Sequence, residues 1–229
     1  MAQIFHPSAN TLSRVSIYGA LFVVVGLLFV SYAIIRSPYQ TMQRVIKDQP
    51  VQFSHEHHVS GLGIDCRYCH TSVEHSSSAG MPSTETCMSC HSQIWSDSPM
   101  LAPVRASYRD NTPIRWNRVH DLPDFAFFHH GVHIQKGVGC VTCHGRVDKM
   151  PLMWKESPMT MEWCLECHRN PEPHLRPYDQ IFNMAGQSTT EAANVGQDAD
   201  VKPDARRDDT ARNRDAHFSG MTNCSVCHR

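Results

Sequence analysis

FSHEHHVSGLGIDCRYCH, residues 53–70, contains both halves of the pattern that organises this chain. It ends in Cys66-Arg-Tyr-Cys69-His70, a C-x-x-C-H motif. The same spacing returns as Cys87, Cys90 and His91, as Cys140, Cys143 and His144, as Cys164, Cys167 and His168, and as Cys224, Cys227 and His228. All ten cysteines fall in these motifs. C-x-x-C-H is the attachment signature of c-type haem. Two thiols one helical turn apart reach the two vinyl groups on one porphyrin edge, and the adjacent imidazole swings under the ring to the iron. Disulfides do not require a histidine after each second cysteine. Structural zinc closes four ligands and needs no histidine at this fixed offset. A thioredoxin-like C-x-x-C occurs once, beside a βαβ pattern. The five repeats therefore predict five covalent haems, with proximal iron ligands His70, His91, His144, His168 and His228.

The other half of the opening stretch is Phe53-Ser-His55-Glu-His57-His58, which reads F-x-H-x-x-H a short way ahead of Cys66. Phe128-His-His130-Gly-Val-His133 repeats it ahead of Cys140. Residues three apart on a helix are neighbours, so each motif presents two imidazoles that diverge enough to serve two haems. His55, His58, His130 and His133 are the leading distal candidates. His57 and His129 interrupt the pattern and are expected not to ligate iron. For the fifth iron, His120 in Val-His-Asp-Leu-Pro stands ahead of His217, His75 and His174, and methionines between the motifs form a second class of donor.

Working outward, the repeat divides the chain. Val15 to Ile35 carries no charge over 21 residues, about 31 Å of helix and enough to cross a bilayer. The run is longer than a signal-peptide core and no A-x-A-like site follows it, so a retained anchor is expected. The expected plan is a cytoplasmic 1–14, an anchor 15–35 and a stalk 36–52. A first two-haem module (53–91) and a loop-rich, proline-bearing connection (92–127) follow. Then come a second two-haem module (128–185), an extended segment (186–216) and the fifth haem site (217–229). Arg105, Arg109, Arg115 and Arg118 of the connection are candidates for pairing with haem propionates or a partner.

Roughly 39 residues then serve each haem, a size at which a chain needs staples or cofactors. The fold expected is mostly α with extensive loops, one transmembrane helix and a compact multihaem cytochrome c domain. Its core is formed by haems and it has little or no β-sheet. A net charge of -1 excludes a strongly basic nucleic-acid binder. Arg36, Arg44 and Lys47 follow the anchor while Arg14 alone precedes it, a weak argument for a cytoplasmic haem domain. Haem c is attached outside the cytoplasm in bacteria, and that chemistry outweighs the charge bias.

FSHEHHVSGLGIDCRYCH, GMPSTETCMSCHSQIW, VHDLPDFAFFHHGVHIQKGVGCVTCHGRVDKMP and TMEWCLECHRNPEPH, with one N-terminal membrane helix and the terminal TNCSVCHR, resemble the pentahaem cytochrome c subunit of bacterial alternative complex III. The resemblance spans roughly residues 1–177 and the C-terminus, with nothing to match in 186–216. It implies an electron carrier in a quinol-oxidising respiratory complex of the inner membrane, its haem domain periplasmic. The implied partners are an integral quinol-binding subunit, an iron–sulfur subunit, and a monohaem cytochrome c or terminal oxidase. It also implies His120 as the fifth distal ligand beside His55, His58, His130 and His133. Two other functions compete. A stand-alone membrane-anchored quinol dehydrogenase also has one span. A catalytic multihaem reductase usually replaces one motif histidine with lysine, and no C-x-x-C-K occurs here.

Overall fold

Cap chemistry sets where the short helices begin. The computed structural model describes residues 5–185 and 220–228. Asp65 ends an extended approach and accepts the Arg67 amide, which starts α3 (Cys66–Cys69). Asn223 does the same for Ser225 at α9 (Cys224–Cys227), and the Thr160 hydroxyl caps α8 (Met161–Arg169) through the Trp163 amide. Asp65 and Asn223 stand directly before their motif cysteines, and Thr160 stands one turn ahead of Cys164.

The remaining helices are α1 (Ser8–Arg36), α2 (Pro38–Thr41), α4 (Thr84–His91), α5 (Ala102–Asp110), α6 (His130–Gln135) and α7 (Cys140–His144). Among the described residues there is no sheet, only isolated bridges pairing Ile46 with Trp154, Ala126 with His228 and Val138 with Leu175. The expected helix-and-loop class is what the molecule adopts.

The chain forms two units, residues 1–43 and 44–229. The first is dominated by α1, 29 residues and about 43 Å long, apolar enough to cross a membrane and exposed along its length. Of the residues expected to form a stalk, 44–52 belong to the second unit. The Arg44 amide donates to the Lys155 carbonyl at 2.7 Å, and Lys47 Nζ to that of Arg118 at 2.7 Å.

The second unit repeats one plan twice. A histidine-bearing turn leads to a short motif helix, and a longer motif helix follows. In the first copy the turn is a π-helix, Glu56–Gly61, followed by α3 and α4. In the second it is α6, followed by α7 and α8. The two copies interlock. The Glu56 amide donates to the Met150 carbonyl at 3.1 Å, and the Gly131 amide to that of Ser76 at 3.0 Å. Gly131 is needed at this crossing, because a Cβ there would stand 2.9 Å from the Glu74 carbonyl oxygen.

Protein atoms alone supply a small core. Among the described residues the buried hydrophobics are Val51, Val73, Val104, Ile134, Val141, Met150, Ile181 and Met184. Val73, Ile134 and Ile181 form one cluster beneath α6. Leu62, Met81, Ile94, Trp95 and Met100 stay exposed in the same unit. Large flat apolar cofactors would supply the contacts these side chains lack.

Candidate haem-binding site

Four of the five motif histidines share one local geometry. His70 Nδ1 meets the Gly80 carbonyl at 2.8 Å, His91 that of Ile94 at 2.9 Å, His168 that of Met221 at 3.0 Å and His228 that of Phe125 at 3.1 Å. A carbonyl oxygen only accepts, so each Nδ1 carries the proton and each Nε2 presents a lone pair. This arrangement fixes the tautomer and orientation of a metal-binding imidazole.

The distal candidates obey the same rule. His58 donates to the Ser54 carbonyl, His133 to that of His129, and His130 to that of Ser77, each at 2.8 Å. His55 differs, since its Nδ1 is buried without a partner. A buried N–H left in this state costs about 1–3 kcal/mol, which a carboxylate on a bound cofactor would recover.

The two F-x-H-x-x-H turns match in their internal contacts. Phe53 meets His55 edge-on at 4.9 Å and stacks on His58 at 4.4 Å. Phe128 meets His130 edge-on at 4.7 Å and stacks on His133 at 4.5 Å. Each phenylalanine thus holds its two imidazoles at an angle to one another.

Opposed imidazoles follow. His58 faces His91 with ring centres 6.2 Å apart, His130 faces His144 at 6.3 Å, and His133 faces His168 at 6.2 Å. Two imidazoles on opposite sides of one metal, with bonds of about 2.0–2.1 Å and about 1.1 Å more to each ring centre, stand roughly 6.2–6.4 Å apart. The spacings fit an iron at the centre of each pair. His55 lies close enough to His70 for the two charges to interact, and desolvation, with smaller contributions from His70 and His58, lowers its pKa to about 4. The residues present therefore suit six-coordinate haem iron.

His120 is placed differently. Its ring centre is 4.3 Å from that of His144, and its Nε2 is 3.2 Å from His144 Nδ1. Desolvation, then nearby Lys155 and His130, lowers the pKa of His120 to about 4, and desolvation lowers that of His144 to about 3.

The thiols form a chain. Burial chiefly raises the pKa values of Cys66, Cys69, Cys87, Cys140, Cys143, Cys164 and Cys167, and neighbouring thiols add to the effect at four of them: Cys87 on Cys69, Cys66 on Cys140, Cys167 and Cys164 on Cys143, and Cys227 on Cys164. Cys140 and Cys143 reach about 12. The uncharged thioether formed on haem attachment suits such surroundings better than a thiolate. Along this series the motifs run second, first, third, fourth, fifth. Cys90 and Cys224 depart from the half-buried pattern of the other eight cysteines and are exposed. They belong to the second and fifth motifs. Cys90 keeps its motif position on α4, one turn beyond Cys87, and its sulfur accepts from the Ser89 hydroxyl at 3.8 Å.

Other histidines and arginines singled out in the sequence make contacts within the protein. His129 caps α6 through the Val132 amide and receives the His133 proton on its carbonyl. The i, i+4 relation between those two was visible in the sequence, but its use was not. His57 stacks with Trp95 at 5.8 Å. Arg105 binds the Ser96 and Ser98 carbonyls at 2.7 and 2.8 Å, Arg109 pairs with Asp110, and Arg118 lies near Asp121. The extended segment 186–216 and His217 lie outside the described residues.

Residues 32–115 match the class III cytochrome c family. The menaquinone reductase, multihaem cytochrome c subunit of Nitratidesulfovibrio vulgaris is 33% identical over 174 residues, which covers 67% of this chain and 80% of that protein. With that kinship, and with imidazoles paired at iron-spanning distances beside C-x-x-C-H thiols, the chain belongs to the multihaem cytochrome c family of that relative, whose cofactor is covalently bound haem c, and carries a class III cytochrome c match within it.

Proposed function

We propose that this chain is a membrane-anchored pentahaem electron-transfer subunit of a quinol-oxidising respiratory complex of the alternative complex III type. Each C-x-x-C-H motif holds one haem through its two cysteines, with His70, His91, His144, His168 and His228 as proximal ligands. Distal imidazoles come from His55 to the haem of His70, His58 to that of His91, His130 to that of His144, and His133 to that of His168. Haem c supplies reversible one-electron transfer. The protein orients the imidazoles, excludes water with Phe53 and Phe128, and fixes the spacing between sites.

The observation that carries this reading is the pairing of opposed imidazoles across a continuous series of motif thiols. An iron with both axial positions filled has no place for substrate, which suits a wire. A series from the second motif to the fifth has two ends, one for each partner. In this reading residues 15–35 anchor the chain in the inner membrane and the haem domain is periplasmic, organised as two two-haem modules and a fifth site. The electron donors are an iron–sulfur subunit and an integral quinol-binding subunit. The acceptor is a monohaem cytochrome c or a terminal oxidase.

The relative named for menaquinone reduction favours a second reading, in which electrons run the other way, into a quinone site of a partner. Stopped-flow mixing separates these from a stand-alone quinol dehydrogenase. The isolated holoprotein should be reduced by dithionite and stay oxidised with a quinol analogue, gaining quinol-driven reduction only in its complex. Fast reduction by quinol without partners would overturn the wire reading. With the complex assembled, reduction of added quinone by pre-reduced haems faster than haem reduction by quinol would favour the second direction.

A further inference from the structure

A histidine that ligates iron through Nε2 must carry its remaining proton on Nδ1. Four motif histidines give that proton to a backbone carbonyl. His144 instead points Nδ1 at His120 Nε2, 3.2 Å away. If His120 Nε2 were the donor, His144 would be protonated on Nε2 and unable to hold iron. With His144 as ligand, His120 must be the acceptor, and the lone pair it would need for an iron of its own is occupied. The ring centres are also only 4.3 Å apart, against 6.2–6.3 Å for the opposed pairs, so no iron fits between them.

We propose that His120 is a positioning residue for the third haem, the hydrogen-bond acceptor that orients His144 and strengthens its donation to iron, and that it is not a distal ligand. This rests on the assignment of His144 as an iron ligand. An imidazole nitrogen is a far stronger base than an amide oxygen, so it draws the His144 proton further and gives that ring more imidazolate character. A more basic axial ligand favours the ferric state. The third haem therefore has a lower potential than an equivalent bis-histidine site backed by a carbonyl. The iron of His228 receives none of the five distal candidates; the ring beside it is Phe125, at 5.8 Å.

The test uses full-length holoprotein, with haem content measured first, then potentiometric titration, EPR and carbon monoxide difference spectra. In His120→Leu all haems attached in the wild type remain attached, no new high-spin signal appears, and one midpoint rises by about 59 mV, a tenfold change in a one-electron equilibrium. In His120→Gln an amide oxygen takes over as acceptor, and the rise is smaller. A new high-spin ferric signal with added carbon monoxide binding in either variant would mean that His120 is a distal ligand. Unmoved midpoints in His120→Gln and His120→Leu would reduce it to a structural residue and equally overturn the proposal. Should His120→Leu not mature, His120→Gln alone decides between these results. His144→Met tests the underlying assignment separately, since a variant that moves no midpoint refutes His144 as ligand whatever His120 does.

Discussion

Replacing His133 by alanine removes one imidazole from one pair. His133 stacks on Phe128 at 4.5 Å, donates to the His129 carbonyl at 2.8 Å, and faces His168 at 6.2 Å. Loss of the ring contact costs about 0.5–1.5 kcal/mol and loss of the hydrogen bond about as much, so the fold is weakened by about 1–3 kcal/mol apart from the iron bond. Phe128 and His130 remain, and the His144 pair is left intact. The sixth position opposite His168 is then open to water in the ferric state and to carbon monoxide in the ferrous state. Difference spectra of the reduced variant against the wild type should show one additional carbon monoxide-binding haem, about one-fifth of the total if all five motifs are loaded. An unchanged spectrum would show that His133 is not a ligand. Two additional binding haems would mean that the turn as a whole collapses, and that its two histidines are not held independently.

Three further perturbations probe the framework. Gly131→Ala places a Cβ 2.9 Å from the Glu74 carbonyl oxygen and 3.1 Å from the His75 carbonyl carbon, so α6 must shift; overpacking costs about 1–3 kcal/mol, and thermal unfolding followed at the Soret band should come earlier with the His130 and His133 haems perturbed first. Asp148 is buried, paired with Arg146 at 2.6 Å, and that hydrogen bond chiefly lowers its pKa. Its contribution is complete above the unfolded carboxylate pKa near 3.9 and is lost as pH falls through the lower folded value. Asp148→Asn should therefore weaken the protein at neutral pH while making its acid unfolding less steep, and equal slopes for both proteins would contradict the pairing. Chain expressed without haem attachment should lack cooperative thermal unfolding of residues 44–229, because Val73, Ile134 and Ile181 are the one buried cluster among the described residues; a sharp calorimetric transition would contradict the cofactor-as-core account.

The legible part of this molecule is its local chemistry. C-x-x-C-H and F-x-H-x-x-H are fixed by reach along a few residues, so Cys66 to His70 and Phe53 to His58 declare themselves without any tertiary information. The apolar run of α1 is legible for the same reason. The one-residue slip between Thr84-Glu85-Thr86-Cys87 and Thr160-Met161-Glu162-Trp163-Cys164 was readable too, and both stretches lead into motif helices, Thr84–His91 and Met161–Arg169. What the sequence hid depends on contacts between distant residues. The order of motifs in space follows from neighbours such as Cys66 and Cys140, which nothing in their spacing announces. The exposure of Cys90, against the half-burial of Cys87 in the same motif, is another feature that the motif spacing does not announce. The carbonyls that orient each imidazole belong to loops whose residue types are irrelevant to that task, as with Gly80 and Met221. His120 is a distal candidate by resemblance, and its contact with the Nδ1 of His144 is one that nothing in the sequence announces. The first histidine turn winds as a π-helix where spacing suggested an ordinary helix, and π turns of this kind recur at functional sites.

The intact mass of the holoprotein, read together with its pyridine haemochrome spectrum, tests the central claim most directly. The account predicts the mass of the chain plus five haem groups, and one haem fewer each time the two cysteines of a single motif are replaced by alanine. A wild-type mass carrying fewer than five haems, or a motif whose cysteines can be removed with no loss of haem, would contradict it.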